Sequence, residues 1–234
     1  MFNNKTFLAI IPARGGSKRL PNKNIRDLCG KPLISWTINS ALKSQYIDEI
    51  VVSSDSDNIL KIASYFNVRA QKRPSCLSTD DSSTVDVVLD SLKKSSKFDY
   101  VIVLQPTSPL RNNENIDEAI ELLVNKNADA VISVCQAPHP PFWSNKLDEN
   151  LSMENFLSKD SINKRSQDYD KYYTINGAIY ICDTEIVNKL QTLFPEKNIF
   201  AYVMDRELSI DIDEEIDFLL CESYCKNTKN IFIG

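Results

Sequence analysis

The chain has 234 residues, of which 42% are hydrophobic and 25% charged, with a formal charge of −5 at pH 7. This size suits one domain spanning residues 1–234, and the composition excludes intrinsic disorder. An acidic chain is not expected to bind nucleic acid broadly, so an anion site must be a local cluster of Lys and Arg.

The first apolar run, "FLAII" (residues 7–11), reads as a strand and leads into "PARGGSKRLPNKN" (12–24). It is too short, and too soon followed by Arg14, for a signal peptide, and no run approaches a membrane-spanning length, so a cytoplasmic protein is expected. Leu33, Trp36, Thr37 and Ser40 follow a helical period, and "EIVVSS" (49–54) reads as the next strand. A helix through Val85, Val88, Leu89 and Leu92 precedes the strand "YVIVLQ" (100–105), and one through Ile116, Ala119, Ile120 and Leu123 precedes "AVISVC" (130–135). Strands "AIYIC" (178–182) and "IFAYVM" (199–204) and a helix in "EEIDFLLCESY" (214–224) close the chain. Near-continuous apolar strands must be covered on both faces. The alternation therefore implies a three-layer α/β/α fold with a mostly parallel central sheet and ligands beyond the carboxyl ends of its strands.

Residues 138–175 break the alternation. A proline-rich entry, strand, polar turn and second strand are expected there, an excursion whose Phe142, Trp143 and Phe156 call for a partner surface and hence a dimer. The lone His139, in "APHPP", reads as structural. Six cysteines without a C-x-x-C pair, beside a single histidine, give no support for a zinc site and read as small buried hydrophobes.

The loop after the first strand carries the most chemistry. Gly15, Gly16 and Ser17 offer backbone amides that can approach an anion, and Arg14, Lys18, Arg19 and Lys23 lie within ten residues, enough charge for a triphosphate. Neither the P-loop nor the dinucleotide glycine pattern is present. Asp211 and Asp213 in "SIDID" alternate on an extended segment, so both carboxylates share a face and can hold a hard cation; Asp213 is also placed to cap the helix that follows. In "LQPTSPLR" (104–111) two prolines stiffen a turn at the sheet edge, presenting Gln105, Thr107 and Arg111.

Four segments in order, the first loop, "LQPTSPLR", "RSQ" followed by "NGAIYI" (165–181) and "SIDIDEEID" (209–217), resemble the CMP-sialic acid synthetases, or acylneuraminate cytidylyltransferases. The resemblance implies a nucleotide-diphospho-sugar transferase-like, Rossmann-type fold. It implies an enzyme that joins CMP from CTP to the anomeric hydroxyl of a nine-carbon acidic α-keto sugar, releasing pyrophosphate. On that resemblance Lys23, Arg14 and Asp211 carry the catalysis, and Asp211 and Asp213 bind Mg2+. Arg14, Gly15, Gly16, Ser17, Lys23, Asn24 and Arg73 hold the nucleotide, while Gln105, Thr107, Arg111, Arg165, Gln167, Asn176, Gly177 and Tyr180 meet the sugar. Arg165 is the family-like partner of the sugar carboxylate, although Thr174 stands where some members carry another basic residue. A homodimer is implied as well, the excursion reaching the neighbouring site. The alternatives are a nucleotidyltransferase for another sugar acid such as 3-deoxy-manno-octulosonate, and a nucleotide-binding regulatory module without turnover.

Overall fold

The computed structural model describes residues 1–79, 82–154, 156–157 and 169–227. Strand β1 (Phe7–Pro12) leads through the first loop to a short antiparallel hairpin, β2 (Asp27–Leu28) and β3 (Lys31–Pro32). Then follow α1 (Leu33–Lys43), β4 (Glu49–Ser54), α2 (Asp57–Tyr65), β5 (Arg69–Lys72), α3 (Thr84–Lys93), β6 (Tyr100–Val103), α4 (Asn113–Asn125) and β7 (Ala130–Gln136). After the excursion come β8 (Tyr173–Asp183), α5 (Thr184–Leu190), β9 (Ile199–Val203) and α6 (Glu215–Asn227).

Seven strands form one sheet in the order β5-β4-β1-β6-β8-β7-β9. All run parallel except β8, which is antiparallel to both β6 and β7. The period-two geometry of β1 divides its side chains between two cores. Phe7, Ala9 and Ile11 join α1, α2 and α4 through Ile34, Ile38, Ile59, Ala63, Ile116 and Ile120. Leu8 and Ile10 face the opposite way, with Val88 of α3 and Val187 of α5. This is the expected three-layer arrangement.

A third core holds Leu20, Leu28, Leu33, Trp36, Leu110, Ile212 and Phe218. Leu20 comes from the basic loop, Leu110 from the proline turn and Ile212 from between the paired aspartates. One apolar cluster therefore fixes three chemistry-bearing segments relative to one another.

Some expectations are corrected. Over residues 138–154 no strand forms; a 3-10 turn spans Pro141–Trp143. Residues 144–154, beyond the proline-rich entry, are all exposed, so no buried face draws them into a sheet. Phe142 is exposed as anticipated, but Trp143 and Phe156 are half-buried; Trp143 stacks on His139 with centroids 6.0 Å apart. All six cysteines are free; four are buried, whereas Cys29 is half-buried and Cys76 exposed. Among the described residues no helix is long and apolar enough to cross a membrane.

Candidate active site

Beyond the carboxyl ends of β1, β5 and β6 lies a cleft of about 490 Å³, lined among others by Arg14, Ser17, Lys18, Arg19, Lys23, Asn24, Arg73, Gln105, Thr107 and Asp213. Its position follows from topology. The chain moves from β1 outward to β4 and β5, then returns to place β6 on the other side of β1, and such a reversal opens a crevice.

The first loop is tied at several points. Asn24, buried on the short turn Lys23–Ile25, donates its Nδ2 to the Arg14 carbonyl at 2.9 Å, closing the loop on itself. Gly15 donates its N–H to Asp55 Oδ1 at 2.8 Å, and a Cβ on Gly15 would stand 2.9 Å from Ser56 Cβ. The Ser17 N–H turns to the Gly15 carbonyl at 3.2 Å. The expected nest of three amides is therefore not assembled, because two of them are already bonded within the protein. Gly16 is exposed, with nothing within 4 Å of a built Cβ, so packing does not require a glycine there. The cationic side chains, not the amides, dominate this end of the cleft.

Arg73 is buried under the opposite wall. It donates Nη2 to the Ser53 carbonyl at 2.7 Å, Nε to Ser53 Oγ at 3.3 Å and Nη1 to the Leu77 carbonyl at 3.4 Å. Burial, partly offset by the Asp55 charge, holds its pKa below the usual arginine range. Leu77, Thr79, Ser82, Ser83 and Thr84 complete that wall and were not anticipated. A signal existed: Ser83 three residues before Asp86 is a capping pair, and Ser83 Oγ accepts the Asp86 N–H at 3.1 Å. The amino terminus of α3, with its partial positive charge, thus borders the cleft.

At the centre, Lys23 Nζ donates to the Ile212 carbonyl at 2.5 Å and to Asp213 Oδ1 at 3.1 Å. Arg19 reaches the other oxygen of Asp213 at 3.0 Å. Asp217, in the first turn of α6, accepts the N–H groups of Asp213 and Glu214 on its Oδ2 at 3.0 and 2.8 Å, which fixes the backbone that carries Asp213. Asp211 is exposed at its outer edge and sits beside Thr107, Gly177 and Tyr180. Desolvation, then the neighbouring Asp213 charge, raises its pKa above the usual carboxylate range against a hydrogen bond from Thr107.

The sugar-side predictions divide. Gly177 has a φ of +75°, and its missing Cβ would meet Gln105 Oε1 at 3.1 Å and Asp211 Oδ2 at 3.8 Å, so Gln105, Gly177 and Asp211 converge. Tyr180 joins them: burial and the Asp211 charge raise its pKa, and its ring packs edge-on against Phe194 at 5.8 Å. Two residues are not brought to the cleft. Asn176 is buried and fully engaged, accepting from Ser133 Oγ at 2.6 Å and donating to Ser209 Oγ at 2.9 Å. It links β7 and β8 to the segment carrying Asp211. Arg111 is wholly buried and donates to Thr37 Oγ1 at 2.9 Å, behind the turn rather than in the cleft. Arg165 and Gln167 lie outside the described residues.

A nucleotide-sized cleft lined by four loop cations together with the Asp213 carboxylate suits a nucleotidyltransferase, and the chain belongs to the cytidylyltransferase family, whose sequence model matches residues 8–229. Among its relatives is the CMP-N,N'-diacetyllegionaminic acid synthase of Legionella pneumophila, 38% identical over 92% of this chain and 94% of that protein. The pseudaminic acid cytidylyltransferase of Campylobacter jejuni is 35% identical over 90% of this chain and 93% of its own length. The N-acylneuraminate cytidylyltransferase of Escherichia coli is 34% identical over 91% of this chain, which spans 50% of that longer protein. A solved CMP:2-keto-3-deoxy-manno-octonic acid synthetase superposes with a TM-score of 0.73 at 17% identity, covering 95% of this chain and 99% of that one, a likeness of fold.

Proposed function

We propose that this chain transfers CMP from CTP to the anomeric hydroxyl of a nine-carbon acidic α-keto sugar, releasing pyrophosphate. One observation carries the reading: the cleft lined by Arg14, Lys18, Arg19 and Lys23 also holds Asp213, Thr107 and Gln105, and Gln105 in turn meets Gly177 and Asp211. The relatives that match along nearly their whole length are named for a diacetyllegionaminic acid and for pseudaminic acid, which supports an acidic sugar as the acceptor.

In the reaction the sugar oxygen bonds to the α-phosphorus of CTP as the bond to pyrophosphate breaks, so negative charge builds on the departing oxygens. Lys23 is placed to exchange its bonds with Ile212 and Asp213 for phosphate oxygens. Arg14, Lys18 and Arg19 would neutralise the rest of the triphosphate, and Arg73 would hold the wall facing the base. The donor set fits magnesium: Asp211 and Asp213 supply hard oxygen ligands, and Asp213 already raises the pKa of Asp211, a repulsion that a shared cation relieves. When bound, the ion would polarise the α-phosphate and screen the leaving group. Arg165 would grip the sugar carboxylate through two parallel hydrogen bonds.

The protein would work as a homodimer in a reducing cytoplasm. Phe142, Leu147, Leu151, Met153, Tyr173 and Ile175 are exposed apolar side chains on the excursion and the adjoining start of β8, and a second copy would cover them. Light scattering of a fully active monomer would contradict this. Incubation with CTP, magnesium and a panel of neuraminate-, legionaminate- and pseudaminate-type acids, followed by mass spectrometry, tests the activity. A CMP-sugar is expected from at least one of them. Turnover of an eight-carbon acid alone, or of a neutral sugar, would overturn the proposal.

A further inference from the structure

Among the described residues Arg111 is the largest wholly buried side chain, and none of them offers it an acidic partner: burial holds its pKa down to about 9. Nη2 donates to Thr37 Oγ1 at 2.9 Å, while Nε and Nη1 meet no acceptor among the described residues. A guanidinium can only donate, so Thr37 must accept at that contact, which leaves its single proton to point elsewhere. The Gln105 carbonyl lies 3.4 Å from Thr37 Oγ1 and takes that proton. The same carbonyl accepts the Ser108 N–H at 3.3 Å. Ser40, nearly one turn further along α1, lies 2.9 Å from the Arg111 carbonyl and 3.0 Å from that of Trp36, which share its proton. Thus one face of α1 secures both ends of the 105–111 turn, Thr37 at the start and Ser40 at the finish.

We propose that Arg111 and Thr37 are positioning residues for the sugar end of the cleft, with the guanidinium orienting the Thr37 hydroxyl and the hydroxyl fixing the backbone of Gln105. The consequence is sharp because Gln105 Oε1 lies only 3.1 Å from where a Cβ of Gly177 would stand, so a small shift of the turn moves this amide against β8. The inference rests on the proposed reading that Gln105 faces the sugar.

Steady-state kinetics of the full chain test it with Thr37→Val, Thr37→Ser, Gln105→Ala and the Thr37→Val/Gln105→Ala double variant. Valine keeps the volume and deletes the hydroxyl; serine keeps the hydroxyl and loses a methyl. Thr37→Val should raise the KM for the acidic sugar about fivefold, the scale of one hydrogen bond, with the KM for CTP within about twofold. Thr37→Ser should stay within about twofold for both, although it removes more packing. In the Gln105→Ala background the valine change should add nothing, since neighbours acting in series are non-additive. Arg111→Met supplies a second route if Thr37→Val fails to fold. It removes a lone buried charge, so it should retain the fold and raise the sugar KM by a similar factor. A wild-type sugar KM in both Thr37→Val and Arg111→Met, or a serine variant as impaired as the valine one, would overturn the inference. Gln105→Ala with an unchanged sugar KM would instead overturn the reading of the cleft on which it stands.

Discussion

Gly15→Ala probes how the loop is held. Cβ atoms are fixed by the backbone and cannot rotate aside, yet the new one would stand 2.9 Å from Ser56 Cβ, where carbon contacts settle at about 3.5–4.0 Å. The loop must therefore retreat by roughly the missing half to one ångström, stretching the 2.8 Å bond from the Gly15 N–H to Asp55. Overpacking of this kind costs about 1–3 kcal/mol, and for a chain of this length each kcal/mol lowers Tm by about 2–4 °C. A fall of roughly 2–12 °C is expected in a thermal scan, with weaker CTP binding by calorimetry. Ser56→Gly should restore most of both, because Ser56 precedes α2 without capping it through its side chain. A Gly15→Ala protein with wild-type Tm and CTP affinity, or a defect that Ser56→Gly leaves untouched, would refute the reasoning.

Lys23→Ala should lower turnover on the order of 100-fold, as expected for a cation that meets developing charge, and pyrophosphate release measures it. Tm should fall as well, since Lys23 Nζ is bonded to Ile212 and Asp213. Gly177→Ala places an L-residue at a φ of +75°, so denaturant titration should record a loss of about 1–2 kcal/mol, accompanied by a higher sugar KM as Gln105 is displaced. Asp211 carries a pKa raised chiefly by desolvation, so the folded state holds that proton more tightly than the unfolded chain and stability falls as pH rises through the interval between the two. Asp211→Asn should therefore melt above wild type at neutral pH, the difference vanishing below the ordinary carboxylate range. Melting curves across pH would contradict this if the wild type were the more stable at neutrality.

The layered fold was legible because β1, β4 and β6 are uninterrupted apolar runs and α1 and α4 keep a helical period. The direction of β8 was not, since an apolar strand reads the same either way along the sheet. β5, "RAQK", is too polar to stand out; the buried Gln71 donates its amide nitrogen to Asp90 and Ser91 of α3, contacts that no local pattern announces. In the site, the cationic loop was readable from residue type and spacing, and Gln105 and Gly177 through the family resemblance; that Asp211 converges with them was not. The use of Gly15 was not: a glycine marks a need for space, but the space belongs to Ser56, and the amide goes to Asp55, both distant in sequence. Arg111 and Asn176 sit in motifs that look like ligand contacts, yet tertiary packing buries them against α1 and between β7, β8 and Ser209.

The central claim is that the sugar oxygen attacks the α-phosphorus of CTP within this one cleft. A nine-carbon acidic α-keto sugar labelled with oxygen-18 at its anomeric hydroxyl, turned over with CTP and magnesium and followed by mass spectrometry, tests it most directly. The account predicts that the CMP-sugar retains the heavy oxygen between carbon and phosphorus and that pyrophosphate carries none. Label in pyrophosphate, or a CMP-sugar from which it has been lost, would contradict it.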